Sequence, residues 1–245
     1  MSQLSRRKLI ASALGATAGV SGIAVAARLA ERNGLTPPEW HGIYGPGDTM
    51  TYAAQRLLTR NTMAREFSRG QISKAPFANK TSPPTEEYSR LQAGGFADWR
   101  LVIGGMVARP TSLSLADIRR YPSRSQITHL ACEEGWSYVA EWIGVQLSEV
   151  LNAVGVLPRA KYVIYHSIEK GWTDSIDMAD ALHPQTFLAY GMNGGELPVG
   201  FGGPLRMRVP RQLGYKSVKF INGLTVTDSI EALPPGGQYS WYAGI

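Results

Sequence analysis

The chain has 245 residues, a single cysteine and a formal net charge of +6 at pH 7. One cysteine excludes an internal disulfide, and a small positive surplus with no basic run after the first residues argues against nucleic acid binding. With 27 glycines and 15 prolines, the composition favours many turns and short strands over a helical bundle.

The first 26 residues have the layout of an export signal. Ser5-Arg6-Arg7-Lys8 precedes the apolar stretch 9–27, which is rich in Ala and Gly, and Ala24-Val25-Ala26 has the small residues of a cleavage site. The adjacent arginines predict a twin-arginine signal, a route associated with proteins exported folded and loaded with a cofactor. We expect a periplasmic protein, or a membrane-associated one if the signal is retained as an anchor.

After the signal, residues 27–57 are predicted to be an N-terminal extended segment. This interpretation rests on the Gly- and Pro-rich stretch 34–48, which a short helix over 52–58 follows. The main domain is placed at 58–245. It begins with a loop that carries Arg60 and Asn61, and a second extended stretch is predicted over 76–88.

The main domain mixes short strands and helices without a regular βαβ repeat, which predicts an α+β fold. Alternating and β-branched residues mark the strands, whereas capping residues and apolar spacing mark the helices. The predicted strands are 99–107, 125–130, 142–145, 161–167, 186–192, 205–210, 217–222 and 224–228, and the predicted helices begin at Ser114, cover 147–154 before Gly155, and cover 179–182.

Cys132 lies just after the predicted strand 125–130, in the sequence CEEGWS at 132–137. A lone thiol is an inert core residue, a nucleophile or a ligand for a soft metal. The place where a strand enters a loop is one where binding residues concentrate. His129 is three residues away, roughly 10 Å along an extended chain, which argues against a cysteine–histidine nucleophile.

Several cationic side chains are candidates for holding a phosphate or another oxyanion, because ammonium and guanidinium groups donate charge-assisted hydrogen bonds. They are Arg60, Arg65, Arg206, Arg208, Lys216 and Lys219. Arg206 and Arg208 are two residues apart on a predicted strand and therefore share a face. Residues 214–219 lack the spacing of a P-loop, and a turn followed by a strand with solvated lysines explains them equally well. No G-x-G-x-x-G follows a strand, so a nicotinamide enzyme is not supported.

Five ordered motifs give residues 58–228 a resemblance to the sulfite oxidase-like molybdopterin enzymes. The motifs are WRLVIGGMV at 99–107, CEEGWS at 132–137 with WIGV at 142–145, AYGMNG at 189–194, GPLR at 203–206 and GYKSVK at 214–219. The resemblance implies a mixed, β-rich sulfite oxidase-type molybdopterin-binding fold and a molybdenum-molybdopterin cofactor. It implies that Cys132 supplies the thiolate ligand of the molybdenum, a metal that carries the redox chemistry itself.

The resemblance also implies which residues contact the cofactor. Arg60 and Asn61 look like the loop that faces cofactor and substrate, with Arg60 as a catalytic oxyanion contact. Ser167 lies where the family has a cofactor contact after a central strand. The residues that match the segments holding the pterin and its phosphate are Arg206, Ser217, Val218 and Lys219. Phe201 stands where the family often has a histidine, so that pterin contact is lost or replaced by backbone.

The implied activity is oxygen-atom transfer on a small sulfur oxyanion or a sulfoxide, with electrons exchanged with a membrane haem subunit or a soluble cytochrome. Arg60 favours sulfite as substrate. The expected single-domain layout, without the dimerisation or haem domains of sulfite oxidases, favours sulfoxide reduction. A rival hypothesis is a non-catalytic pterin- or anion-binding module, which would have no need of the thiol of Cys132.

Overall fold

The computed structural model describes residues 46–59, 61–79 and 81–229, with shorter pieces at 22, 24–32 and 35–36. The chain divides into two units, Met1–Thr62 and Met63–Ile245. The predicted signal at 1–26 lies almost entirely outside the described residues, so its assignment stays a prediction. None of the helices within the described ranges combines the length and the apolar character that a membrane crossing requires.

The first unit contains a helix, α1, over Pro46–Thr59. It includes the predicted helix 52–58 but begins six residues earlier, and residues 24–32 are helical too. The prediction that 27–57 is extended was therefore wrong in these parts. At the start of α1, Pro46 favours the helix, because a proline fixes φ near the helical value and lacks only an N–H that the first turn leaves unpaired anyway.

The second unit is an α+β fold in which strands dominate, as the sequence predicts. The strands are β1 (Leu101–Gly105), β2 (Thr111–Leu113), β3 (Ser123–Ala131), β4 (Ser137–Gln146), β5 (Tyr162–Ser167), β6 (Thr173–Asp177), β7 (Phe187–Met192), β8 (Gly195–Glu196), β9 (Arg206–Arg208) and β10 (Ile221–Thr227). The helices are α2 (Glu86–Ala93), α3 (Leu115–Ile118), α4 (Leu147–Val154) and α5 (Met178–Ala181).

These strands form two sheets. Sheet I has the order β2-β1-β10-β5-β6, and only its β1–β10 pair is parallel. Sheet II has the order β3-β4-β7-β8, with β9 paired to β7, and all its described pairs are antiparallel. The long β3–β4 hairpin places Cys132 at its turn, between Ala131 and Ser137, which are paired across the two strands.

The main hydrophobic core packs α4 against strands of both sheets. Leu147, Val150, Leu151 and Val154 are fully or almost fully buried, because their spacing puts them on one face of the helix. Gly155 ends the helix at a φ of +70°, a conformation that glycine adopts without strain. Both features agree with the sequence prediction for 147–155.

Two sequence predictions fail near the site. Residues 217–222 were predicted as a strand, but a 3-10 turn over Gly214–Lys216 is followed by irregular chain, and β10 begins at Ile221. Tertiary partners hold this irregular backbone, since the Tyr165 hydroxyl donates to the Lys216 carbonyl at 2.8 Å. Helix α2 was also missed: it begins at Glu86, inside the stretch 76–88 predicted as extended, and Thr85 caps it by accepting from the Tyr88 N–H.

Candidate functional site

A cavity of about 220 Å³ opens where strand ends from the two sheets meet. It brings together residues from three of the motifs, at 132–137, 203–206 and 214–219, and Ser167. The predicted site residues that line it are Cys132, Ser167, Arg206, Ser217, Val218 and Lys219. Asn61 is exposed in the first unit and Arg60 lies outside the described residues, so the roles of these two stay predictions.

The thiol of Cys132 faces carboxylates. Its Sγ donates to Oε2 of Glu133 at 3.3 Å and to Oε2 of Glu134 at 3.7 Å, and the latter oxygen also accepts from the Trp136 indole at 2.6 Å. Burial, together with the negative charges of Glu133 and Glu134, raises the pKa of Cys132 to about 12. Without a bound cation the thiol is therefore protonated at neutral pH, which argues against a thiolate nucleophile.

The turn that carries Cys132 is closed by backbone hydrogen bonds. The Cys132 N–H donates to the Trp136 carbonyl at 2.9 Å, and the Gly135 N–H donates to the Cys132 carbonyl at 3.1 Å. Gly135 has a φ of +91°, which only glycine adopts readily. The polar and flexible residues after the thiol thus fold back and leave it at the cavity wall.

Arg206 supplies a buried positive charge to the cavity. The residue is 2% exposed, and its guanidinium donates to the carbonyl oxygens of Phe201, at 2.9 Å, and of Ser217. Burial lowers the pKa of Arg206. Within the described ranges no carboxylate pairs with this guanidinium, and a buried charge without a partner is costly. The Arg206 end of the cavity therefore favours an anionic ligand.

Phe201 does two things at the position where the resemblance expects a histidine. Its carbonyl orients Arg206, and its ring packs edge-on against Tyr138 with the centroids 5.7 Å apart. The backbone of Phe201 contributes to the site through this arginine, and its side chain packs against Tyr138, which lines the cavity.

The loop 214–219 packs closely against its neighbours. A Cβ on Gly214 would meet the Ala131 carbonyl oxygen at 3.2 Å, so the loop lies directly on the strand end that leads to Cys132. The Lys219 ammonium donates to Asn79 Oδ1 at 2.8 Å and to the Gly200 carbonyl at 2.6 Å. Tight packing of this loop brings the Lys219 side chain and the Ser217 backbone to the cavity.

The other candidate cations have different surroundings. Lys216 is 1% exposed and pairs with Asp174 at 2.6 Å, so it does not line the cavity. Arg65 lies over the Phe67 ring at 4.8 Å and lines a second pocket of about 190 Å³ together with His129. The position of His129 on this second pocket agrees with the expectation that it does not serve Cys132 as a base. Arg208 is buried without lining either pocket.

Sequence reasoning missed the aromatic and acidic rim of the cavity. Trp136 stacks in parallel on Tyr138 with ring centroids 5.9 Å apart, and Phe77 packs on Trp136 at 5.2 Å. Trp172 and Glu169 also line the cavity. The alternation of Trp136, Tyr138 and Trp142 was a usable signal, because residues two apart share a strand face. The contribution of Phe77 depends on a segment folded over the sheet and left no local signal.

Known proteins resemble this chain over much of its length. Residues 89–232 match the family model described as oxidoreductase molybdopterin binding domain. The putative protein-methionine-sulfoxide reductase subunit YedZ1 of Azospira oryzae is 35% identical over 193 residues, which are 77% of this chain and 70% of that protein.

Two further relatives are named protein-methionine-sulfoxide reductase catalytic subunit MsrP. Those of Xanthomonas axonopodis pv. citri and Xanthomonas campestris pv. campestris are 34% and 37% identical over 160 residues, 59% of this chain and 49% of each relative. The chain thus spans about half the length of these two. The crystal structure of the sulfane dehydrogenase SoxCD from Paracoccus pantotrophus superposes with a TM-score of 0.53 at 21% identity, over 69% of this chain and 46% of that one, and supports the fold alone.

Proposed function

Because the chain belongs to the family of oxidoreductases with a molybdopterin-binding domain, we propose that it is an exported molybdenum enzyme that reduces a sulfoxide. The observation that carries this proposal is the cavity that brings the only thiol, Cys132, together with the buried charge of Arg206. A redox metal with a thiolate ligand would account for the thiol of Cys132. An anionic organic group would account for the buried charge of Arg206.

The side chains around the cavity fit such a cofactor. Cys132 would bind the molybdenum as a thiolate, because a coordinated metal deprotonates a thiol even when its surroundings raise the pKa. Arg206, Lys219 and the loop residues Ser217 and Val218 would hold the pterin and its phosphate, and Ser167 would add a contact. When bound, the cofactor supplies two-electron oxygen-atom transfer.

The rim of the cavity favours a neutral sulfoxide over sulfite. Glu133, Glu134 and Glu169 put negative charge on the cavity lining, which repels a small sulfur dianion more than a neutral sulfoxide. The aromatic faces of Trp136 and Trp172 suit a methyl-sulfur group, since sulfur makes favourable contacts with aromatic rings. Relatives named as methionine sulfoxide reductases point the same way.

The overall reaction fixes what a partner must supply. Reducing a sulfoxide to a sulfide consumes two electrons and two protons and releases one water molecule. The electrons come from a separate haem protein, either a membrane subunit or a soluble cytochrome. Export to the periplasm rests on Arg6 and Arg7 in the twin-arginine pattern, and replacing both with lysine is expected to leave the protein in the cytoplasmic fraction.

The first test is metal analysis of the exported protein together with its electron paramagnetic resonance spectrum. About one molybdenum per chain and a Mo(V) signal are expected. Turnover is then measured with methionine sulfoxide and a reducing dye, and in parallel with sulfite and an oxidising dye. Sulfite turnover alone would contradict the sulfoxide assignment. A folded protein without molybdenum, from a host supplied with molybdate, would favour the non-catalytic binding module.

A further inference from the structure

We infer that Arg208 is a positioning residue for the anion-binding end of the cavity. It holds a second positive charge behind Arg206, and together the two guanidinium groups set how strongly the site retains a phosphate-bearing ligand. This inference deepens the proposed function and rests on it, since it concerns the same site.

The two arginines share one aromatic platform. They occupy positions two apart on β9, so their side chains leave the strand on the same face. The guanidinium carbons of Arg206 and Arg208 lie 5.0 Å and 4.6 Å from the centroid of the Trp142 ring. The two charges are therefore no more than about 10 Å apart, and the face of the indole favours cations at both positions.

Arg208 also connects the two segments that form the cavity wall. One of its Nη atoms donates to Ser217 Oγ at 3.1 Å, on the loop predicted to hold the pterin and phosphate. The other Nη donates to Thr128 Oγ1 and to the His129 carbonyl, both at 3.2 Å, on the strand that leads to Cys132. Its Nε has no hydrogen-bond partner in the described part of the chain. If Arg208 only linked these two segments by hydrogen bonds, a neutral side chain would serve as well.

No carboxylate among the described residues pairs with Arg208, which is 1% exposed. Burial, with the charge of Arg206 as a smaller cause, lowers its pKa to about 9, so it remains positively charged at neutral pH. An anion held at Arg206 relieves the repulsion between the two cations. An anion beside Arg206 would lie on the order of 10 Å from Arg208, and at an effective dielectric constant of about 20 one charge at that distance changes the affinity for a monoanion roughly tenfold.

The test separates the charge of Arg208 from its hydrogen bonds. Arg208→Met removes both, Arg208→Gln keeps donors without charge, and Arg208→Lys keeps the charge. Thr128→Val is the matched control, because it removes one hydrogen-bond partner of Arg208 and leaves the charge in place. Two quantities are measured on the full chain: the rate at which loaded protein releases its pterin, and the binding of inorganic phosphate to protein from a host that makes no molybdopterin.

The uncharged variants are expected to release pterin about tenfold faster and to bind phosphate about tenfold more weakly than wild type. Arg208→Lys and Thr128→Val should stay within about threefold of wild type. Wild-type retention in both uncharged variants would overturn the inference, as would failure of lysine to rescue or a loss in Thr128→Val as large as in Arg208→Gln.

The phosphate measurement keeps this inference distinguishable from the proposed function. If the wild-type chain holds no pterin, the proposed function fails, while phosphate binding to the four variants still decides the role of Arg208. If the wild type does not bind inorganic phosphate at all, the second-cation role is wrong. If Arg208→Met does not fold, Arg208→Gln gives the uncharged comparison.

Discussion

Sheet I and sheet II differ in the surroundings of the charged side chains that they bury. The strands of sheet I contribute apolar residues such as Leu101 and Leu224 to the core, and the buried Asp177 of β6 caps helix α5 by accepting from the Asp180 N–H. Sheet II buries Glu141 on β4 and both arginines of β9 at 3% exposure or less. Burial of apolar groups is favourable by itself, whereas a buried charge needs a compensating partner.

The partners of these buried charges separate structural from functional roles within sheet II. Glu141 accepts hydrogen bonds from both terminal guanidinium nitrogens of Arg69, at 3.0 Å and 2.8 Å, so its charge is paired within the protein. This ion pair also fixes the segment that carries Phe77. Arg206 has no such match among the described residues and faces a cavity. An unmatched buried charge thus points to a ligand, and a matched one points to a structural role.

The largest effect is expected at the thiol. Cys132→Ala should leave a folded chain whose molybdenum content and turnover fall by about 100-fold or more, because the metal loses its protein ligand. Metal analysis and sulfoxide reduction measure the change. Ser137→Ala, at an exposed position on the same turn, is the control and should behave as wild type. Turnover retained in Cys132→Ala would exclude the ligand role.

The next effect concerns the unmatched charge of sheet II. Arg206→Ala should lower cofactor occupancy, with an affinity loss of about tenfold to 100-fold, since a charge-assisted contact in a buried site disappears. Pterin content per folded chain measures it. Arg120→Ala removes an arginine whose side chain is 80% exposed and should leave pterin content unchanged. Full pterin content in Arg206→Ala would remove the basis for distinguishing the two sheets by their charges.

A substitution in the core of sheet I should lower the stability of the protein and leave the cofactor site unchanged. Leu224 is 1% exposed, and Leu224→Ala is expected to lower the free energy of unfolding by about 2–5 kcal/mol through lost burial and a cavity. Denaturant unfolding measures this, and pterin content at low temperature should not change. Val102, at 57% exposure on the neighbouring β1, provides the control, because Val102→Ala should stay within about 0.5 kcal/mol.

A smaller effect in sheet I depends on pH. Burial lowers the pKa of His166 from its ordinary value of 6.5, and its Nε2 lies 2.9 Å from Thr225 Oγ1. The unfolded chain therefore binds a proton at this residue before the folded protein does, and stability falls as the pH drops below about 6.5. His166→Gln should flatten that part of a stability–pH curve. An unchanged slope would show that other groups set the acid limit.

Local patterns in the sequence determined much of the fold and the identity of the site residues. The apolar spacing of 147–154 and the continuous apolar run in 161–167 require only neighbours along the chain, and both elements formed as predicted. Cys132 and Arg206 were identifiable because a lone thiol and paired arginines are unusual in their surroundings. The resemblance to known enzymes then grouped residues far apart in the sequence, such as Cys132 and Lys219, which are 87 residues apart.

Tertiary structure alone decided which charges are matched. The spacing of Lys216 and Lys219 in the sequence makes both equal candidates for a phosphate, yet Lys216 pairs with Asp174 and Lys219 reaches the cavity. The irregular backbone at 217–220 likewise depends on hydrogen bonds from distant residues and overrides a strand-like pattern. Electrostatic pairing depends on distance in space, and the separation of two residues along the chain does not determine that distance.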